Sequence, residues 1–364
     1  MVKSKKLIIF IPSIEDGGVE KNLYLISKFL SNKFKNIILL TFENSKKKKF
    51  VNNIEIINPW FNFINFKGRY LKYIFCLLSL TRMLLINRNY LILSFQANIF
   101  AIIIAKIFDV KIISRSNSSS IGWSKNYIKQ YIFKLYFKKA DKIVVNSYDF
   151  KKEMDKKYKI KTKCILNPFE FDKIKKLSNK KVKKIYTKNS LKLISLGRLT
   201  SQKDFMTLLK SIKNLKRDKV ELVIIGKGTE EDRLKNYILK NNLSDKVKMM
   251  GYKSNPFPYL RQANILILTS IFEGSPNVLV EALFLKKFVI STNCPTGPSE
   301  ILKKGKYGAL FKVGDYRNIS KFINNFKFSK IITNKINRGY ESTKRFDYKK
   351  NCDKYSKLIQ NYLN

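Results

Sequence analysis

The chain has 364 residues, which is enough for two domains of ordinary size that each bury a core. Hydrophobic residues make up 45% of the chain and aromatic residues 13%, a composition that excludes a disordered basic protein. The 74 Lys and Arg residues against 26 Asp and Glu residues give a net charge of +48, which predicts affinity for a polyanion such as nucleic acid, an anionic membrane or a phosphate-rich substrate. Because lysine is spread along the whole chain, solvated lysines without a single partner are an open alternative.

The first half alternates short apolar runs with helical patterns. The predicted strands are residues 7–11, 37–41, 91–94, 111–114 and 142–146. The predicted helices are residues 19–29, 70–86 and 98–108. Alternation of this kind predicts a parallel sheet. The lysine run 46–49 is interpreted as a solvated loop, and the aromatic-rich segment 58–66 as core, with a surface at a membrane headgroup layer as the alternative.

Two segments, 70–86 and 91–108, are apolar enough to raise the question of a membrane span. Arg82 interrupts the first, and polar residues such as Asn98 and Lys106 interrupt the second. Neither offers the roughly 20 uninterrupted apolar residues that a transmembrane helix needs. Buried helices and a strand are therefore expected there.

The four cysteines show no paired spacing, and the chain has no histidine, so no structural zinc site is expected. The apolar run 7–11 is too short for the core of a signal peptide. These features predict a reducing, cytoplasmic location.

The second half follows a lysine-rich stretch without periodicity, 167–189, which is interpreted as the domain junction. The predicted strands are residues 191–196, 221–225, 247–250, 265–268 and 289–291. The predicted helices are residues 205–215, 230–241, 278–284 and 348–363. The same α/β architecture is therefore expected twice.

Two carboxylates stand out near the end of the 265–268 strand. Glu273 lies in a turn with Gly274, Ser275 and Pro276, and Glu281 lies more than a turn inside the helix that follows. Ligands of open α/β sheets bind at the carboxyl ends of strands, where helix N-termini also attract anions. Both acids are expected to face such a crevice.

Two cations follow the 191–196 strand. Arg198 comes directly after the strand, and Lys203 precedes a helix whose start has Ser201 and Asp204 in capping-box spacing. Cations and a helix N-terminus at one strand end are suited to bind phosphate.

Several motifs together resemble the retaining glycosyltransferases of family 4, which have the GT-B fold. The resemblance depends on the Glu273 and Glu281 spacing, on the segment 197–205, on the glycine-rich turn 225–234, on TGPSEIL at 296–302 and on DGGVE at 16–20. It implies two Rossmann-like domains with parallel sheets facing a central cleft. The expected boundaries are 1–170 for an acceptor-binding domain, 171–345 for a nucleotide-sugar-binding domain and 346–364 for a helix that returns to the first domain.

The resemblance implies a role for each matching residue. Arg198 and Lys203 would bind the donor diphosphate, Glu273 would lie near the donor sugar, and Glu281 would hold the ribose hydroxyls. The other implied donor-binding positions are Gly17, Gly18, Gly197, Gly226, Gly228, Tyr252, Asn277, Val278, Gly297 and Glu300.

The chain departs from the family pattern at three points. Lys227 and Asn293 stand where relatives commonly have acids, and no histidine is present in the first domain. A base for the acceptor would have to be a carboxylate or a donor phosphate oxygen. Arg115 and Asn117, after the 111–114 strand, are expected to reach the acceptor.

The implied reaction is transfer with retention of anomeric configuration, without a metal or other cofactor. The donor is expected to be a nucleotide sugar, with UDP and an N-acetylhexosamine or hexose favoured by the likeness of TGPSEIL to bacterial surface-glycan transferases. The acceptor is expected to be a polyprenyl-linked or lipopolysaccharide glycan, with the protein peripheral on the inner face of the cell membrane. The alternatives are a GT-B nucleotide-sugar epimerase and a basic nucleic-acid-binding protein, although no nucleic acid partner is expected.

Overall fold

The computed structural model describes residues 5–14, 17–43, 50–51, 53–59, 68–117 and 127–363. The lysine loop at 46–49, residues 60–66 of the aromatic segment and Asp16 of the first glycine loop lie outside the described residues. The chain divides into two compact units, of which the first comprises Met1–Phe169 with Tyr348–Asn364 and the second Glu170–Asp347.

The first unit is built on a parallel sheet whose described strands follow the order β3-β2-β1-β4-β5-β6-β7. Its strands are β1 Lys6–Phe10, β2 Ile37–Leu40, β3 Ile54–Ile57, β4 Tyr90–Ser94, β5 Lys111–Ser116, β6 Lys142–Val145 and β7 Lys163–Cys164. The central strands β1, β2 and β4 consist mostly of Ile and Leu because helices cover both faces of the sheet.

Helices pack on both faces of this sheet. They are α1 Gly18–Ser31, α2 Arg69–Ile86, α3 Asn98–Ile107, α4 Tyr127–Phe137, α5 Tyr148–Tyr158 and α14 Tyr348–Leu363. On one face α1 and α14 enclose a core with residues such as Leu7, Leu93 and Tyr355. On the other face α2, α3, α4 and α5 enclose a second core with residues such as Phe10 and Ile92.

The second unit repeats the plan with a parallel sheet whose described strands follow the order β10-β9-β8-β11-β12-β13. Its strands are β8 Leu191–Leu196, β9 Val220–Ile225, β10 Val247–Met249, β11 Ile265–Leu268, β12 Phe288–Thr292 and β13 Ala309–Phe311. Its helices are α6 Phe171–Ser178, α7 Phe205–Lys213, α8 Glu231–Lys240, α9 Phe257–Gln262, α10 Asn277–Phe284, α11 Pro298–Ile301, α12 Tyr316–Asn324 and α13 Lys330–Ser342.

The predicted α/β class with two parallel sheets is confirmed. The interpretation of 167–189 as a stretch without periodicity is wrong in part, because α6 lies inside it and buries Ile174 and Ser178. Within the described part of the chain, no helix is long and apolar enough to cross a membrane. All four cysteines are free thiols.

Candidate functional site

The candidate site lies at the carboxyl edge of the second sheet. Strands β8, β9, β11 and β12 are all parallel, so the loops that follow them leave from the same edge. These loops and their helices carry nearly all of the second-unit residues singled out from the sequence. Parallel topology therefore gathers residues from four separate segments on one side of the unit.

The centre of the site is an ion pair between Lys203 and Glu273. The Nζ atom of Lys203 lies 2.5 Å from Oε1 of Glu273, and the two side chains are only 15% and 8% exposed. The hydroxyl of Ser270 donates to the same Oε1 at 2.7 Å. No described residue donates a hydrogen bond to Oε2 of Glu273, which leaves this oxygen able to accept one from a ligand hydroxyl.

Lys203 also lies directly beside Gly197. A Cβ atom on Gly197 would be 3.7 Å from Cε of Lys203, so the lysine stem runs close to the end of β8. The ammonium group has three donor hydrogens and gives one to Glu273. The remaining donors can serve phosphate oxygens at this strand end.

The helix start after Lys203 differs from the predicted capping box. Residues Ser201–Lys203 form a 3₁₀ turn, and Asp204 is itself the N-cap of α7, where its side chain accepts from the Thr207 amide. Asp204 has a φ of 44°, a left-handed conformation that turns the chain sharply before the helix. The hydroxyl of Thr269 donates to the carbonyls of Lys203 and Asp204, which ties this turn to the end of β11.

Close backbone contacts explain why glycine occupies two positions after β9. A Cβ atom on Gly226 would lie 1.8 Å from the carbonyl oxygen of Gly197, and one on Gly228 would lie 2.3 Å from that of Leu199. The amide of Leu199 donates to the Lys227 carbonyl at 2.9 Å. The two glycine loops are therefore in direct backbone contact, and this contact sets the position of Arg198, which is exposed.

The loop after β12 is held against the Glu273 turn in the same manner. The Thr296 hydroxyl donates to the Glu273 carbonyl at 2.6 Å. Gly297 has a φ of 84°, and a Cβ there would lie 2.6 Å from the Gly274 carbonyl oxygen. Only glycine suits both conditions. Glu300, in α11, is partly buried.

The remaining donor-site candidates of this unit lie around the same edge. Glu281 is buried, at 4% exposure, in α10, whose first two residues are the half-buried Asn277 and Val278. Tyr252, after β10, is 47% exposed, and the Lys227 ammonium lies 5.3 Å from the centre of its ring. Lys227 thus contacts an aromatic face.

The first unit presents its own glycine loop at the start of α1. Gly18 is the first residue of the helix and Gly17 its N-cap. A Cβ on Gly17 would lie 2.8 Å from a carboxylate oxygen of Glu20, so this carboxylate lies against the loop.

The expectation that Arg115 reaches an acceptor is wrong. Arg115 is fully buried, its Nε donates to the Tyr355 hydroxyl at 2.8 Å, and its Nη2 donates to Asn167 at 2.8 Å. Asn117 donates to the Phe95 carbonyl. Arg115 therefore belongs to the interior of the unit, where it links β5 to α14.

Ser270, Thr296 and Gln202 hold the Glu273 turn but were not assigned a role from the sequence, although Thr296 and Gln202 lie inside two of the motifs cited above. Gln202 donates to the Phe272 carbonyl at 2.9 Å and accepts from the Ile271 amide through its own carbonyl. The sequence feature that could have indicated Ser270 is the change from the apolar β11 to the polar pair Thr269 and Ser270, which directly follows the carboxyl end of the strand.

A neighbouring thiol shows no sign of being a nucleophile. Burial and, to a smaller extent, the negative charge of the Glu273 carboxylate raise the pKa of Cys294 to about 12. The thiol is therefore protonated at neutral pH. In the described ranges of the chain, no group of three or more His, Cys, Asp or Glu residues is placed to hold a metal ion.

Residues 176–355 match the family model of Glycosyl transferases group 1. This match includes Lys203, Glu273 and Glu281 and nearly all of the second unit. The second unit is a glycosyl transferases group 1 domain. Together with the first parallel-sheet unit, it gives the protein the GT-B fold of glycosyltransferases.

Relatives of this glycosyltransferase occur in bacteria and archaea. An uncharacterized glycosyltransferase of Methanocaldococcus jannaschii is 36% identical over 244 residues, which are 58% of this chain and 59% of that protein. The N-acetylgalactosamine-N,N'-diacetylbacillosaminyl-diphospho-undecaprenol 4-alpha-N-acetylgalactosaminyltransferase of Campylobacter jejuni is 27% identical over 91% of this chain and 93% of its own.

A solved structure has the same fold. The Anabaena protein HepE, crystallised in complex with UDP-glucose, superimposes with a TM-score of 0.77 over 98% of this chain and 100% of its own, at 17% sequence identity. The shared fold therefore extends over both units.

Proposed function

We propose that this glycosyltransferase transfers an N-acetylhexosamine or hexose from a nucleotide diphosphate sugar, with UDP favoured, to a lipid-linked or surface-polysaccharide acceptor, with retention and without a metal ion. The observation that carries the proposal is the buried pair of Lys203 and Glu273 beside Gly197, at the carboxyl edge of a glycosyl transferases group 1 domain.

The cations at this edge have a direct use in such a reaction. Negative charge builds on the leaving diphosphate as the glycosidic bond breaks, and fixed cations stabilise it most where water is excluded. Lys203 is well suited because it is 15% exposed and is held by Glu273. Arg198, on the adjoining loop, would bind the same diphosphate with its planar guanidinium.

The two acids would each bind different hydroxyl groups of the donor. Glu273 would accept a sugar hydroxyl at Oε2, because Oε1 already accepts from Lys203 and Ser270. Glu281 would bind the ribose hydroxyls from α10. The reaction would proceed by attack of the acceptor on the face that the diphosphate leaves, with a phosphate oxygen taking the acceptor proton.

The acceptor assignment is supported by the relatives. The Campylobacter relative is named for transfer to a diphospho-undecaprenol-linked glycan, and it aligns with nearly the whole chain. A lipid-linked acceptor would require the protein to work at a membrane surface. The proposal therefore includes a peripheral contact of the first unit with anionic lipid on the cytoplasmic side.

The proposal is tested by a panel of nucleotide sugars in thermal-shift measurements, followed by NMR of the product. We expect one UDP-sugar to raise the melting temperature, the product to keep the anomeric configuration of the donor, and EDTA to leave the rate unchanged. An inverted product would contradict the retaining mechanism. Activity restored after EDTA only by a divalent ion would contradict the metal-free mechanism.

A variant series tests the site assignment. Lys203→Ala should lower kcat by about 100-fold, because it removes a fixed donor to the departing charge. Glu281→Ala should mainly weaken donor binding, measured by calorimetry. Lys213→Ala, an exposed lysine at the end of α7, is the control and should keep wild-type kinetics. Wild-type turnover in both site variants would show that the donor binds elsewhere.

A further inference from the structure

One layer of helices on the first unit has an unusual exposed face. Helices α2, α3 and α4 lie side by side on the same face of the sheet and contribute to a single core. Toward the sheet, α2 buries Cys76, Leu80 and Leu84. Its other side is also apolar, with Ile74 at 51%, Leu78 at 61% and Leu85 at 67% exposure.

Exposed apolar side chains are concentrated on these three helices. Of the 18 large hydrophobic residues that are exposed in the described part of the chain, 11 belong to this layer. They are Tyr70, Leu71, Ile74, Leu78, Leu85, Ile86, Phe100, Ile107, Tyr131, Ile132 and Leu135. None of the 18 belongs to α1 or α14, which cover the opposite face of the same sheet. A contiguous exposed apolar patch marks an interaction surface.

The charged residues of α2, α3 and α4 indicate which kind of partner fits this surface. The sequences of α2, α3 and α4 contain no Asp or Glu, and their cations include Arg69, Arg82 and Lys134. The helices on the opposite face carry acids, such as Glu20 in α1 and Asp353 in α14. Two copies of this chain that met through the layer would bring cation against cation, which disfavours a dimer here.

We propose that the outward face of α2, α3 and α4 docks on an anionic lipid bilayer. Leu78, Ile74 and their apolar neighbours would enter the region between headgroups and acyl chains, while Arg69 and Arg82 would contact lipid phosphates. The inference deepens the peripheral contact included in the proposed function, and it names the surface that makes this contact.

The test is co-sedimentation of the full-length protein with vesicles of phosphatidylcholine alone and of equimolar phosphatidylcholine and phosphatidylglycerol. We expect preferential binding to the anionic vesicles. The double variant I74S/L78S, which changes no charge, should lower the partition coefficient at least about tenfold. The matched control L239S/I331S changes two residues of the second unit that are at least as exposed as Ile74 and Leu78, and it should bind within about twofold of wild type.

Two outcomes would overturn the inference. One is I74S/L78S binding anionic vesicles as wild type does. The other is a concentration-dependent dimer in analytical ultracentrifugation that I74S/L78S abolishes without a change in vesicle binding. The donor-induced thermal shift of the same variants separates this inference from the proposed function. I74S/L78S should keep this shift, whereas a wild-type protein that binds vesicles but shows no shift with any nucleotide sugar would contradict only the donor assignment.

Discussion

Single residues of the second unit show how burial changes acid–base chemistry. Lys287 lies directly before β12, and its ammonium donates to the Arg261 carbonyl at 2.6 Å. Burial lowers the pKa of Lys287 from 10.5 to about 8, with repulsion from Arg261 and Lys192 adding to the effect. The folded protein therefore holds this charge less readily than the unfolded chain.

This lowered pKa predicts a pH-dependent stability. Between pH 8 and pH 10.5 the unfolded chain binds more protons than the folded protein, so the free energy of unfolding rises with pH in this window. Below pH 8 Lys287 is protonated in both states, and the folded protein is destabilised by the cost of holding this charge in a buried place. From about pH 7 to about pH 10, the free energy of unfolding of the wild type should rise by about 2 kcal/mol more than that of Lys287→Met.

Urea unfolding at the two pH values measures this difference. Lys240→Met, at the exposed end of α8, is the control and should follow the wild type. Equal pH dependence of Lys287→Met and wild type would show that Lys287 does not carry the effect.

At the scale of residues, the sequence indicated which side chains matter but not what they contact. Lys203 and Glu273 are recognisable because they follow apolar strands at the carboxyl edge of a parallel sheet, where ligands bind. Their direct ion pair joins positions 70 residues apart, so no local pattern could predict it. Arg115 illustrates the opposite case, since a cation near a strand end is found in the interior instead.

Among the elements, the last helix depends on a buried polar contact. The guanidinium of Arg115 lies 5.3 Å from the Phe95 ring centre, and no ion pair joins it to a carboxylate in the described part of the chain. The Nε–H group of Arg115 donates its hydrogen bond to the hydroxyl of Tyr355 in α14. An unsatisfied buried donor on a charged group is costly.

Tyr355→Phe should therefore lower the free energy of unfolding by about 3 kcal/mol. Tyr362→Phe is the matched control on the same helix, because its hydroxyl donates at a partly buried position to the Asp141 carbonyl. We expect the control to lose under about 1 kcal/mol, since water can replace that bond. Chemical denaturation of both variants measures the difference, and equal losses would contradict the importance of the Arg115 contact.

Several long or continuously apolar elements were predicted well, and some short helices were missed. The strands β8 and β11 and helix α14 were predicted at their observed bounds. Helices α6 and α12 were missed because each spans only 8 or 9 residues, so its few apolar positions do not form a long repeating pattern. Their helical structure is stabilised by packing on the sheet rather than by their own sequence.

At the scale of the whole molecule, the net charge of +48 has a measurable consequence. Lysines distributed over each compact unit repel one another, and added salt screens this repulsion. Raising chloride from about 0.05 to 0.5 M should increase the melting temperature by roughly 3 °C or more. Sodium chloride and choline chloride should act alike, and a melting temperature that stays constant or falls would show that self-repulsion is not significant.

The sequence by itself determined the α/β class, the positions of most strands along the chain and the segments that carry the candidate site. Each of these is encoded locally, by apolar runs buried on both faces of a parallel sheet and by polar turns at their ends. Only the tertiary structure decided that Lys203 pairs with Glu273, that the glycine loops touch through their backbones and that α2, α3 and α4 share one exposed apolar face. Those contacts join distant positions of the chain, and they exist only because parallel strands bring their carboxyl ends to one edge and their helices into common layers.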